Sequence, residues 1–190
     1  KNPTYAAMIY RMDAAVGRII SALKAAGKYE NTIIVFTSDN GGVESIWDLQ
    51  ITDNDPLRGE KFLLYEGGIK VPMIVHWPGS GHAVGNTEQL TSTEDIFATI
   101  TSIAGVKVKG DIDGKDLSSL WQHGAGKELD RDLAWHYPHY MPRQKMKPSS
   151  ALRSGRYKLI HWHEDHRLEL FDLEIDPGET QDLAGAMPEK

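Results

Sequence analysis

Hydrophobic positions recur three and four residues apart over the first part of the chain. This spacing predicts a helix from about Pro3 to Ala26 with one apolar stripe facing a core. Gly27 is suited to end that helix in a left-handed conformation. The stripe consists of Tyr5, Met8, Ile9, Met12, Val16, Ile19, Ile20 and Leu23.

A continuous apolar run follows the helix, at Ile33-Ile34-Val35-Phe36. A run without polar alternation predicts a strand covered on both faces, as in a parallel sheet flanked by helices. Val71 to His76 predicts a second short buried strand. A long helix that leads into such a strand indicates an α/β domain.

A second helix is predicted further along the chain, from about Glu94 to Ala104. Ser92 or Thr93 is suited to cap its first turn, and Gly105 to end it. Its apolar positions follow helical spacing, as in the first helix.

The pattern changes again in the last third of the chain. Short alternating runs separated by turn residues predict a small antiparallel sheet. We therefore predict an α/β part at residues 1–125 and a small β lobe at residues 126–190. Neither part looks complete, so we expect further strands upstream and a helix beginning near Met187. The predicted strands are Leu133 to Tyr137, Ala151 to Arg153, Tyr157 to Trp162 and Leu168 to Leu173.

Composition narrows the range of partners. Of 190 residues, 40% are hydrophobic and 25% are charged, with a net charge of −6. Because no basic run is present, we expect neither nucleic acid nor an anionic membrane as a partner. No apolar run reaches the ~18 residues of a membrane span. The chain has no cysteine, which excludes disulfides and thiolate metal sites within it.

The first chemical signal is Thr37-Ser38-Asp39-Asn40-Gly41-Gly42, directly after the predicted buried strand. Ligand sites in open α/β sheets lie outside the carboxyl ends of strands. Asp39 and Asn40 offer hard oxygen ligands suited to calcium or magnesium. The alternative is an ordinary polar turn, because turns favour the same residue types.

The second signal is a basic segment flanked by glycines, Arg58-Gly59-Glu60-Lys61, followed by Tyr65-Glu66-Gly67-Gly68. Lys61 is suited to hold an anionic group as a compact positive charge. It lies 21 positions after Asn40, so a loop can bring both to one site. The alternative is a pair of surface charges beside a glycine turn.

The third signal is Trp135-His136-Tyr137-Pro138-His139-Tyr140. Interleaved rings and imidazoles are typical of a sugar-binding rim, with His136 and His139 as the candidate substrate contacts. A strand end that packs its aromatic rings inward explains the same pattern equally well. Three further histidines suggest a transition-metal site, but their acidic neighbours favour a charged hairpin turn. These are His161, His163 and His166.

Taken in order, these segments resemble the type I, formylglycine-dependent sulfatases of the alkaline phosphatase-like superfamily. The likeness covers nearly the whole chain, and the ordered set is far more specific than any one piece. The segments are Tyr5–Asp13, Thr37–Gly42, Leu57–Lys61, Tyr65–Pro72, Thr93–Ile96, Asp113–Leu117, Ser154–Leu159 and Leu170–Pro177.

The resemblance implies a fold and roles for particular residues. It implies an alkaline phosphatase-like mixed sheet flanked by helices, with residues 1–125 as the later part of the catalytic domain. Asp39 and Asn40 would bind calcium, rather than magnesium, and Lys61 would contact the sulfate oxygens. Glu66 and Arg58 are expected to hold their loop rather than to act on the substrate.

The resemblance also shows what to expect outside this chain. The family's nucleophile is a formylglycine made from Cys or Ser in a Cys/Ser-x-Pro-x-Arg motif, which is absent from this sequence. We therefore expect the formylglycine, and the remaining calcium ligands, in an N-terminal half that would be this chain's partner. The chain alone is expected to be inactive. The family implies a periplasmic or extracellular location.

Three functions remain open from the sequence. The first is hydrolysis of a sulfate ester on a carbohydrate or another small sulfated molecule. The second is phosphomonoester hydrolysis or phosphotransfer within the same superfamily. The third is a non-catalytic module that binds sulfated glycans through the face around residues 135–140.

Overall fold

The structure is a computed structural model that describes residues 2–47, 49–80, 85–124, 129–142 and 145–189. Its internal contacts divide the chain into two compact units. Unit 1 contains residues 1–10, 38–71 and 131–190, and unit 2 contains residues 11–37 and 72–130. The predicted boundary between residues 125 and 126 lies outside the described residues and stays a prediction.

The first helix, α1, spans Pro3–Ala25 as predicted. The side-chain oxygen of Asn2 accepts hydrogen bonds from the backbone N–H groups of Thr4 and Tyr5, which caps its first turn. Gly27 follows the helix at φ +64°, the left-handed stop that the sequence predicts.

The predicted core-facing stripe of α1 is wrong for the described part of the chain. No residue of α1 is buried, and Met8 and Ile19 are 63% and 59% exposed. An amphipathic helix buries its apolar face only where another element covers that face. The described residues cover this face only in part, since Tyr5, Val16, Ile20 and Leu23 are half-buried and the rest of the stripe is exposed.

Unit 2 contains a strand pair that differs from the predicted parallel sheet. Strand β1 (Ile34–Thr37) pairs with β4 (Met73–His76) in antiparallel orientation. All four residues of β1 are half-buried rather than buried. Covering a strand on both faces requires neighbouring layers, and the described residues leave β1 without parallel neighbours.

Two helices follow β4 in unit 2, α3 (Glu94–Ile103) and α4 (Ser118–His123). Thr93 occupies the predicted N-cap position of α3 but makes no side-chain cap hydrogen bond. Instead, the buried carboxylate of Asp95 accepts the backbone N–H groups of Ser92 and Lys115, each at 2.7 Å. A single carboxylate therefore fastens the start of α3 to a later loop.

Unit 1 contains the predicted antiparallel sheet, whose strands lie side by side in the order β5 (Asp132–Tyr137), β6 (Ser149–Ser154), β7 (Tyr157–Trp162) and β8 (Leu168–Asp172). The prediction for β7 matches residue by residue, and the other three differ by up to two residues at an end. A short hairpin, β2 (Ser45–Ile46) with β3 (Leu49–Gln50), and a single helical turn, α2 (Glu66–Ile69), complete the unit.

One face of this sheet carries the core of unit 1. Burial alternates along β7, as the period of two requires. Inward-facing residues pack against the segment that precedes α2, so the sheet supports the loop that contains Lys61. The core residues are Leu64, Tyr65, Met146, Ala151, Ile160, Trp162, Phe171 and Leu173.

Among the described helices, none has the length and apolar character needed to cross a membrane.

Candidate functional site

The loop after β1 presents both candidate metal ligands of the sequence analysis. Asp39 is exposed and Asn40 is half-buried. The backbone N–H of Asn40 donates to Oδ1 of Asp39, and the Asn40 amide nitrogen donates to the carbonyl of Gly41. These bonds do not use Oδ2 of Asp39 or the side-chain oxygen of Asn40. Both atoms keep the lone pairs that a hard cation requires.

Two backbone hydrogen bonds join this loop to residues 58–68, here called the Lys61 loop, which include the start of α2. The N–H of Lys61 donates to the carbonyl of Gly42 at 3.1 Å, and the N–H of Gly41 donates to the carbonyl of Gly68 at 2.9 Å. The structure therefore brings the backbones of the two loops together.

Glycine is required where the two loops meet. A Cβ atom on Gly41 would lie 1.7 Å from the carbonyl oxygen of Gly67, and one on Gly67 would lie 2.1 Å from that of Gly59. These contacts are with backbone, which cannot rotate away as a side chain can. Gly41 is thus needed for the close approach of the two loops, and Gly67 for the tight folding of the segment that carries Lys61.

Asn54 is a linking residue that the sequence analysis missed. Its side-chain amide donates to the carbonyls of Gly42 and Gly59, both at 3.0 Å. It therefore crosslinks the two loops from a third segment. The only signal in the sequence is an asparagine in a polar stretch, which turns favour for many other reasons.

The surroundings of these loops are acidic. Oε2 of Glu60 accepts the backbone N–H of Glu44 at 2.6 Å. Burial raises the pKa of Glu44, and the nearby negative charges of Glu60, Asp53 and Asp55 raise it further. Within the described ranges, no three acidic or imidazole side chains are grouped closely enough to hold a metal ion by themselves.

Glu66 and Arg58 make the kind of contacts expected of residues that hold the loop. The buried carboxylate of Glu66 accepts a hydrogen bond from the Nζ of Lys158 at 3.0 Å. The guanidinium of Arg58 donates to the carbonyl of Glu179 at 2.9 Å and lies over the ring of Tyr65, 3.9 Å from its centroid. Both contacts join the loop to the C-terminal part of unit 1.

A further buried contact joins Tyr65, over whose ring Arg58 lies, to the antiparallel sheet. The hydroxyl of Tyr65 donates to Oε2 of Glu169 at 2.7 Å, and the indole N–H of Trp162 donates to the same oxygen at 3.1 Å. Burial and the carboxylate of Glu169 raise the pKa of Tyr65 well above its ordinary value. Tyr65 therefore stays a neutral hydrogen-bond donor at any physiological pH.

The segment from Trp135 to Tyr140 combines features of a sugar-binding rim with features of a strand end that packs its aromatic rings inward. Trp135 and Tyr137 pack against the core of unit 1, as inward-facing aromatic residues do. His136 and His139 are exposed. The Nδ1 of His136 lies 2.8 Å from Oγ of Ser150, and the His139 ring meets the Tyr137 ring edge-on with centroids 5.2 Å apart.

A shallow groove of 340 Å³ lies on the outer face of the sheet beside His136. Its lining includes the imidazoles of His136 and His161 and the aliphatic side chains of Ala134, Leu152 and Leu159. Rings and imidazoles along an open groove can stack on a sugar and donate to its hydroxyl groups.

His161, His163 and His166 lie in or beside a hairpin turn, as their acidic neighbours predict. Residues 163–165 form the turn between β7 and β8. The rings of His161 and His163 have centroids 5.2 Å apart. Burial and the neighbouring imidazoles lower the pKa of His163.

Two family models match the chain. The model described as sulfatase matches residues 2–106, and the model described as the C-terminal part of N-sulphoglucosamine sulphohydrolase matches residues 59–189. The chain belongs to the sulfatase family. The resemblance inferred from the ordered segments is thereby confirmed.

Relatives of known name support the same membership. The chain is 37% identical to a sulfatase of Formosa agariphila, covering 97% of the chain and 36% of that protein. It is 33% identical to human arylsulfatase A, covering 95% of the chain and 40% of that protein. The chain thus spans only about two fifths of the length of these sulfatases.

Solved structures show that the fold is shared as well. The protein named Ps i-CgsB, in complex with k-i-k-neocarrahexaose, matches with a TM-score of 0.81 and 30% identity, over 98% of this chain and 40% of that one. A phosphonate monoester hydrolase of Agrobacterium radiobacter matches with a TM-score of 0.70 and 27% identity, over 94% of this chain and 36% of that one. The predicted alkaline phosphatase-like α/β fold, with its small antiparallel sheet, is confirmed for this chain.

Proposed function

We propose that the full-length protein containing this chain hydrolyses sulfate esters of a carbohydrate or another small sulfated molecule. The observation that carries the proposal is the pair of backbone hydrogen bonds joining the Asp39–Gly42 loop to the Lys61 loop. They join the two loops that carry the proposed cation ligands and the proposed sulfate contact, and this supports the proposal for a chain of the sulfatase family.

Calcium fits the residues that this chain contributes. Oδ2 of Asp39 and the side-chain oxygen of Asn40 are hard ligands left unused by the hydrogen bonds given above. The acidic surroundings at Glu44 and Glu60 favour a cation further. A bound calcium ion would supply positive charge to the sulfuryl oxygens, and the remaining ligands would come from outside this chain.

Lys61 is the proposed sulfate contact. Its backbone is fixed by the bond to Gly42, and its ammonium group is a compact charge suited to a tetrahedral anion. Negative charge increases on the departing ester oxygen and its neighbours during hydrolysis. A fixed cation beside that charge lowers the barrier, and such groups contribute ~100-fold or more to the rate.

A carbohydrate substrate is supported by the groove and its imidazoles. The exposed rings of His136 and His139 are the proposed substrate contacts. The oligosaccharide bound to the related Ps i-CgsB supports the same class of substrate. Substitution of both histidines would then raise KM for a sulfated oligosaccharide more than for an aryl sulfate.

The remaining machinery is proposed to lie in the N-terminal half of the same protein. The share of the relatives that the chain covers supports this. That half would carry the formylglycine, and this chain alone would be inactive. A periplasmic or extracellular location is also proposed, because sulfated polymers are met there.

Lys61→Met in the full-length protein is the experiment that tests the proposal. We expect kcat/KM for 4-nitrophenyl sulfate to fall ~100-fold, because the fixed charge is lost while the length of the side chain is kept. Lys70→Met, at an exposed lysine nine positions later, is the matched control and should stay within twofold. Equal rates for both variants would refute the proposed role of Lys61.

Phosphoester hydrolysis is the second candidate, and the related phosphonate monoester hydrolase is the observation in its favour. Matched 4-nitrophenyl esters separate the two functions. A sulfatase should favour the sulfate over the phosphate monoester in kcat/KM, and the reverse order would favour the second candidate. If the full-length protein cleaves neither ester but binds sulfated glycans, the third hypothesis, a non-catalytic glycan-binding module, is the correct one.

A further inference from the structure

Lys158 is a fully buried cation on the inner face of the sheet in unit 1. Its side chain is 0% exposed, and its Nζ lies 3.0 Å from Oε1 of Glu66 and 2.9 Å from Oε1 of Glu179. A buried lysine requires compensation of its charge. Here two buried carboxylates from distant parts of the chain supply it, while Arg153 lies 3.9 Å from the other oxygen of Glu66.

Glu179 adds two contacts with the loop that contains Lys61. Its Oε2 accepts the backbone N–H of Glu66 at 2.7 Å, at the first residue of α2, where Tyr65 provides no side-chain cap. Its own carbonyl accepts the guanidinium of Arg58 at 2.9 Å. Glu179 thus contacts the loop near both of its ends.

The backbone of Glu179 supports a positional role. Its φ is +51°, a left-handed conformation that is unfavourable for a residue with a side chain. Such conformations persist where the surrounding contacts hold them. Oε1 of Glu179 meets Lys158 as an ion pair, without hydrogen-bond geometry to any described donor, and burial raises the pKa of Glu179.

The loop itself also needs to be held. Phe62, the residue after Lys61, has φ +82°, and Gly59 has φ +83°. A bulky residue in the left-handed region is strained, so the loop would relax if its anchors were removed. Relaxation at Phe62 would move the neighbouring Lys61.

We propose that Lys158 is a positioning residue, which through Glu66 and Glu179 fixes the loop that carries Lys61. The inference rests on the proposed function of Lys61 for its effect on hydrolysis. Removing the Lys158 charge leaves the buried carboxylates of Glu66 and Glu179 without their shared cation, so the loop loses the two ion pairs that hold it. Lys158 therefore acts on catalysis without touching the substrate.

The kinetic test uses Lys158→Met in the full-length protein. We expect kcat/KM for 4-nitrophenyl sulfate to fall at least tenfold at a temperature where the variant is fully folded. In a Lys61→Met background the same substitution should have an effect of less than twofold, because Lys158 acts through Lys61. Independent, multiplicative losses from the two substitutions would overturn the proposal.

Asp172→Asn is the matched control for general destabilisation. It removes an ion pair in the same sheet, with Arg156, and its described contacts do not include the Lys61 loop. This variant should lose thermal stability yet keep kcat/KM within twofold. An equal loss of activity in Asp172→Asn would mean that any weakening of the sheet impairs hydrolysis, which contradicts a specific role for Lys158.

Hydrogen exchange separates a failure of this inference from a failure of the proposed function. In Lys158→Met, the amides of Lys61, Leu63 and Gly67 should exchange at least tenfold faster, because their backbone partners lie within or beside the loop. Faster exchange with unchanged hydrolysis in both lysine variants would support the positioning and refute the role of Lys61. Unchanged exchange and unchanged hydrolysis would overturn the positioning itself.

Glu179→Gln provides a milder variant if Lys158→Met does not fold. It keeps the size of the side chain and removes one of the two negative charges on Lys158. The same three amides should exchange faster, and more so in a Glu66→Gln, Glu179→Gln double variant. Full protection of the loop in the double variant would contradict the proposal.

Discussion

At the scale of single residues, the ion pair between Asp172 and Arg156 makes a prediction about acid stability. The Nε of Arg156 donates to Oδ1 of Asp172 at 2.7 Å, and this bond holds the pKa of Asp172 below its ordinary value of 3.8. A carboxyl group whose pKa is lowered on folding stabilises the protein above its unfolded pKa. That contribution is lost as the pH falls through the folded pKa.

Urea unfolding of the full-length protein between pH 6 and pH 3 tests this pH-dependent contribution of Asp172 to stability. We expect wild type to be more stable than Asp172→Asn at pH 6, and the difference to shrink once the pH falls below 3.8. The direction follows because the unfolded chain binds the proton more readily than the folded one. A difference that stays constant down to pH 3 would contradict the assignment.

At the scale of elements, segments that mark the family in the sequence contact one another in the structure. The start of α3 meets the loop at residues 113–117: Asp95 accepts the N–H of Lys115, and a Cβ on Gly114 would lie 2.2 Å from the carbonyl of Glu94. The Asp39 loop meets the Lys61 loop in the same way. These ordered segments are thus halves of tertiary contacts, which explains why each one alone is a weak signal.

Asp95→Asn tests the element contact in unit 2. Asp95 is 0% exposed and accepts two backbone N–H groups, so removing its charge should cost ~1.5–3 kcal/mol in the free energy of unfolding. Asp113→Asn, at an exposed position in the partner loop, is the control and should change it by less than ~0.5 kcal/mol. Chemical denaturation measures both, and equal values would refute the anchoring role of Asp95.

At the scale of the whole molecule, the exposed apolar face of α1 predicts different behaviour for the isolated chain and the full-length protein. Ile19 is 59% exposed in the described chain, and contiguous apolar surface promotes self-association in water. If the proposed N-terminal half covers this face, the same side chain is buried in the complete protein.

Ile19→Lys should therefore have opposite effects in the two proteins. In the isolated chain it should reduce self-association, measured by sedimentation, because a charge replaces an exposed apolar group. In the full-length protein it should lower the melting temperature by several degrees, because a buried charge is costly. Arg18→Lys, on the neighbouring charged position, should change neither, and an unchanged melting temperature for Ile19→Lys would refute the burial of this face.

The sequence by itself determined the elements and the family. The spacing of hydrophobic residues along the chain predicted α1 and the four strands of the β lobe to within a few residues. This spacing is informative because local backbone geometry sets the period of side-chain directions in helices and strands. The order of short segments identified the sulfatase family. The resemblance to that family also singled out Asp39, Asn40 and Lys61, because their positions match the family's motifs.

Only the tertiary structure decided how those segments meet. The antiparallel pairing of β1 with β4, the close approach at Gly41 and Gly67, and the crosslink through Asn54 depend on residues far apart in the chain. The same holds for Lys158: its place in the strand pattern indicates a residue on a sheet, and only the fold supplies two carboxylates from outside that strand. Long-range contacts leave no periodic signal, because the chain between the partners can have almost any length and composition.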